Sequence, residues 1–183
     1  MDKKVSFARR DKIVQLAEEI RQRYDPTNID DVAKTNSLIL VRTPGAEGRD
    51  AGFAYVHYTQ APLYIESLAR PEEELRVWGN SERNYIRSIV INTNAGIPEA
   101  EIFWHEWYHL FYSPLGIQRS ERFEHHYSTE GAVHNQEERR ADEFAAAVLI
   151  PSIEGLADIH EIVERYHVSE RLASIAVKFY SLL

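Results

Sequence analysis

Two histidines four residues apart, His105 and His109, with Glu106 directly after the first, are the residues of this chain best placed to do chemistry. On a helix, positions i and i+4 project from one face a turn apart, so both imidazoles can reach a single ion. Glu106 falls roughly 100° round the helix from His105, where a carboxylate can take a proton from metal-bound water without being a ligand itself. This H-E-x-x-H pattern arises by chance in roughly one chain in 25 of this composition, so it asks for a second signal. A catalytic zinc site also needs a third protein ligand.

The stretch Glu138-Arg139-Arg140-Ala141-Asp142 supplies both. Glu138 and Asp142 stand one helical turn apart, which suits a pair in which Glu138 binds the ion and Asp142 accepts the second N–H of a ligating histidine, fixing its tautomer. Taken alone, Glu138 reads as a capping partner of Asn135, and Asp142 as a surface carboxylate near Arg139. Following His105 and His109, they read as the rest of a metal site. Glu137 and Glu143 compete for the third position, but neither has an aspartate four residues on. Ala141, Ala145, Ala146 and Ala147 keep this helix slim enough to approach the first. The chain has no cysteine, so any metal is held by nitrogen and oxygen. That donor set favours Zn2+, although Mn, Fe, Co and Ni accept it too.

The elements that must position these residues follow from periodicity and breakers. A helix is expected over 6–24, with Ile13, Leu16, Ala17, Ile20 and Tyr24 at steps of three and four, stopped by Asp25-Pro26. A short helix at 29–34 and a strand at 38–41 follow, then a turn at 44–52. Strands at 53–58 and 63–67 are expected to pair as a hairpin. A polar excursion over 70–84 leads to a strand at 88–92. Pro98 opens a helix over 99–112 that is apolar and aromatic all round, as a buried central helix is. The stretch 115–134 has no clear period and carries His125, His126 and His134; long loops of this kind are often functional. A helix over 135–149 ends at Pro151, and two short helices, 153–167 and 171–182, join at Ser169, an N-cap. The expected fold class is α+β, one domain over 1–183: a small, mostly antiparallel sheet packed on helices, with a central HExxH helix and a following ExxxD helix.

A strand, then HEWYH on a helix, then ERRADEFAAAVLIP roughly 30 residues later resembles the ImmA/IrrE metallopeptidase family, whose pattern is HExxH followed by E-x-x-A-N/D-x-F-A-A-x-L-L-M-P. Glu138, Ala141, Asp142, Phe144, Ala145, Ala146, Val148, Leu149, Ile150 and Pro151 carry the second motif. The order of the N-terminal elements resembles that family as well. The resemblance implies a zincin-like fold, zinc ligands His105, His109 and Glu138, and Glu106 as general base. It also implies a protein substrate such as a helix-turn-helix repressor in a stress circuit. Two positions depart from the pattern. Trp107-Tyr108 replaces the usual small or aliphatic middle, where bulky rings beside the ion would narrow the cleft, and the run ends LIP rather than LMP.

The reading is therefore a cytoplasmic zinc endopeptidase. Its alternative is a zincin-fold binding module, an antitoxin or anti-repressor, that sequesters a protein partner without cutting it; the intact Glu106 counts against that, since a binder needs no base. Oxyanion stabilisation falls to His125, His126, Tyr127 or His134, while His57, His160 and His167 read as structural or exposed. A DNA-binding reading rests on the helix–turn–helix spacing near 159–172. Charge opposes it: Asp158, Glu161, Glu164 and Glu170 outnumber Arg165, Arg171 and Lys178 there, and the whole chain carries 21 basic and 29 acidic residues, a net −8. No run approaches the roughly 18 apolar residues of a membrane span, and the charged start lacks the apolar core of a secretory signal.

Overall fold

The computed structural model describes residues 3–44, 51–58, 85–112, 136–156 and 158–183. The first helix, α1 (Lys3–Arg23), turns Ile13, Ala17 and Ile20 into the core. Asp25 ends it with a local turn, its side chain accepting the Thr27 amide at 2.9 Å and hydroxyl at 2.7 Å. Asn28 then caps α2 (Ile29–Thr35) by accepting the Asp31 N–H, and Asp30 and Asp31 complement the positive helix end.

Three strands follow: β1 (Leu38–Thr43), β2 (Gly52–Tyr58) and β3 (Tyr85–Asn92). They form one sheet in the order β1-β3-β2. The pairing of β1 with β3 is parallel, from Leu38 opposite Arg87 to Thr43 opposite Asn92, and that of β2 with β3 is antiparallel, from Gly52 opposite Ile91 to Tyr58 opposite Tyr85. The sheet is thus mixed, which corrects the expectation of a mostly antiparallel one. The apolar runs Leu38-Ile39-Leu40-Val41 and Ile89-Val90-Ile91 fit a strand buried on both faces, but carry no sign of direction. The chain between them is long enough for the crossover that parallel neighbours need. The proposed hairpin partner at 63–67, the excursion at 70–84 and the loop at 115–134 lie outside the described residues.

After β3, Asn92 accepts the Asn94 N–H and Gly96 takes a left-handed φ of 69°, turning the chain into α3 (Glu99–Phe111). Pro98 sits at the cap, one position before the helix proper. Every residue of α3 from Glu101 to Leu110 is buried. Its aromatic face is a continuous ring cluster, with Phe103 against Trp104 at 5.1 Å and Trp107 against Phe111 at 4.3 Å between centroids. The Trp104 indole donates to the Pro26 carbonyl at 2.9 Å, fixing α3 to the α1–α2 turn. Arg42 ties the start of α3 to α2, holding Glu99 at 2.6 Å and both oxygens of Asp30 at 2.9 and 2.8 Å.

The next helix, α4 (Gln136–Leu149), packs against α1, α3 and α6. Ala141, Ala145, Ala146 and Ala147 are all buried to within 1%. These short side chains permit the close helix approach expected of them. Helix α5 (Ile159–Tyr166) begins six residues later than the periodicity suggests. Gly155 is left-handed at φ 74°, and the first amides are capped by Asp158, which accepts the Glu161 N–H at 3.0 Å. His167, also left-handed, closes α5, and Ser169 caps α6 (Glu170–Tyr180). Ile162, Leu172, Ala173, Ala176 and Phe179 put the inner faces of this pair into the common core. Among the described residues, no helix is long and apolar enough to cross a membrane.

Candidate metal centre

Helices α3 and α4 bring together three of the side chains singled out by spacing. His105 and His109, one turn apart on α3, place their Nε2 atoms 3.2 Å from each other. Glu138, in the first turn of α4, sets one oxygen 3.2 Å from His105 Nε2 and the other 3.4 Å from His109 Nε2. The two ring nitrogens thus lie 3.2 Å apart, each within 3.4 Å of a different oxygen of the same carboxylate, and one ligand atom from each of the three residues lies within 4.8 Å of the others. Zinc bonds of about 2.0–2.1 Å in tetrahedral geometry separate neighbouring ligand atoms by about 3.3 Å, which is the scale of these contacts. Two imidazole nitrogens and a carboxylate are also the donor set that leaves a fourth position for water or substrate. The histidine side chains are 2% exposed and that of Glu138 is 22% exposed, so among the described residues the centre meets solvent at its Glu138 side.

Asp142 lies where an outer partner belongs. Its Oδ1 is 3.0 Å from His105 Nδ1, on the far side of the ring from Glu138. A carboxylate there holds the proton on Nδ1 and leaves Nε2 as the donor atom. Burial works against a charge on His105. The hydrogen bonds to Asp142 and Glu138, with the negative charges of Glu106 and Asp142, outweigh it and push the pKa up to about 9.

Glu106 is fully buried, beside this cluster on α3. Gly52, the first residue of β2, lies against the same part of the helix. A Cβ there would stand 2.3 Å from Ile102 Cγ2 and 3.5 Å from Glu106 Cγ. The sheet can approach the helix this closely only because that position is glycine.

Of the competitors for the third ligand, Glu143 has other partners. Glu143 pairs with Arg139 at 3.0 Å and Arg10 at 3.9 Å, and the Glu137 side chain lies outside the described residues. Trp107 and Tyr108 are both buried. Trp107 packs on Phe103, Trp104 and Phe111, and Tyr108 on Phe144 at 5.6 Å. His160 and His167 are exposed, while His125, His126, Tyr127 and His134 lie outside the described residues.

Three contributors were not evident from spacing. Arg171 donates to the second oxygen of Asp142 at 2.6 Å; in the sequence it is one charge among several. Glu101, one turn before His105, accepts the backbone N–H of Ser169 and its hydroxyl, the latter at 2.7 Å. In the sequence it is one of three acids on this helix, with Glu99 and Glu106. Gly52 looked like the end of a turn. Comparison of the chain with family models, with curated proteins and with solved structures found no match.

Proposed function

We propose that the protein is a zinc-dependent endopeptidase. The observation that carries this reading is the cluster of His105 Nε2, His109 Nε2 and the two oxygens of Glu138, with contacts of 3.2 to 3.4 Å, and the Glu106 carboxylate one residue after His105 on the same helix. His105, His109 and Glu138 would hold the ion, and Asp142 would orient His105. Zinc bound there supplies a Lewis acid that acidifies water and polarises a peptide carbonyl. Glu106 is the base: it takes the proton of the attacking water and passes it to the departing amine. Because that carboxylate is buried, the proton stays within the site between the two transfers. The motif resemblance extends the proposal to a zincin-like fold and to a regulatory protein substrate, such as a helix-turn-helix repressor, that enters extended.

Glu106→Gln tests the mechanism. The variant should bind zinc as the wild type does and lose peptide cleavage by at least about a hundredfold; cleavage at the wild-type rate would sink it. Metal analysis of Glu138→Ala tests the ligand set, because a full zinc equivalent in that variant would remove Glu138 from it.

A further inference from the structure

We propose that Arg171 is a positioning residue for the metal centre, acting through Asp142. The inference rests on the metal reading above. Asp142 is 5% exposed and has two oxygens to satisfy. One faces His105 Nδ1 at 3.0 Å and the other accepts the Arg171 guanidinium at 2.6 Å. With only the histidine as partner, the carboxylate could rotate about its last bond and offer either oxygen. The charge-assisted bond from α6 fixes its plane, and so fixes the imidazole that it orients.

Arg171 is itself held in place from the ligand helix. The Ser169 hydroxyl accepts the Leu172 N–H at 3.1 Å and so starts α6, while the same hydroxyl donates to Glu101 at 2.7 Å. Glu101 stands one turn before His105. The contacts therefore close a circuit: His105 along α3 to Glu101, across to Ser169, along the first turn of α6 to Arg171, to Asp142 on α4 and back to His105. Each crossing joins residues 29 to 68 positions apart. A ring of this kind holds α3 and α4 at one separation, and the cluster of His105, His109 and Glu138 depends on that separation.

The test uses the full chain, with zinc affinity read by competition with a chelator and site geometry read from the visible bands of the Co2+-substituted protein. Arg171→Gln should weaken zinc roughly tenfold and shift the Co2+ bands, since loss of outer partners costs metal sites about 10–100-fold. Arg171→Lys keeps the charge without the planar fork, and should recover part of both. Ala176→Gly loosens the same helix at a buried position away from the pair; it should lower stability and leave affinity and bands unchanged. Arg171→Gln with wild-type affinity and spectrum, while Glu138→Ala abolishes binding, overturns the role of Arg171 alone. A wild-type chain that binds neither ion overturns the metal reading, and this inference with it.

Discussion

Glu101 and Ser169, 68 residues apart, are joined twice: the serine N–H and hydroxyl both donate to the glutamate carboxylate. This links the cap of α6 to α3, the helix of His105 and His109, through a side chain that is 1% exposed. Burial raises the Glu101 pKa, and the two bonds from Ser169 with the nearby Arg171 charge only partly offset it.

A pH dependence of stability follows. The folded-state pKa lies above the ordinary value of 4.5, so the fold binds this proton more tightly than the unfolded chain does. The stabilisation from protonated Glu101 is complete below about 4.5 and is lost as pH rises through the folded value. Urea denaturation of the wild type beside Glu101→Gln, with chelator present, should show the wild type losing ground to the variant as pH is raised from 4 to 7. A stability difference that is flat, or moves the other way, would contradict it.

The contact of Asp142 with His105 makes a second prediction, on metal affinity. Asp142→Ala should weaken zinc about 10–100-fold, because the imidazole loses the group that fixes its tautomer and plane. Asp142→Asn can still accept from Nδ1–H and should lose less. Chelator competition separates the two, and equal affinity in Asp142→Ala and the wild type would remove Asp142 from the site.

Gly52 and Ile102 give a third, on packing. A methyl at position 52 would overlap Ile102 Cγ2 and crowd the Val90 carbonyl at 3.0 Å. Gly52→Ala should destabilise the protein by about 1–3 kcal/mol, the usual cost of overpacking. Ile102→Ala removes the clashing carbon at its own cost of about 2–5 kcal/mol. Together the two should cost less than the sum of the singles by at least about 0.5 kcal/mol, since residues in contact couple. Additive losses in urea melts would show that the sheet adjusts instead.

What was legible in the sequence is what spacing along one element decides. His105 with His109, and Glu138 with Asp142, share helix faces because each pair is four residues apart, and that is local geometry. Ser169 and Asp25-Pro26 mark helix ends by chemistry that acts within a few residues. The runs at 38–41 and 88–92 read as strands from their branched side chains. The rest was settled by contacts between distant segments. That β1 runs parallel to β3 is invisible in two apolar runs that look alike in either direction. That Glu138, rather than Glu143, faces the histidines depends on how α4 is rotated against α3, and the alanines and Phe144 of the packed interface set that rotation. The link from Arg171 to Asp142, and from Glu101 to Ser169, appears only when three helices meet. Sequence spacing determines which side chains share a face, whereas tertiary packing selects which faces meet.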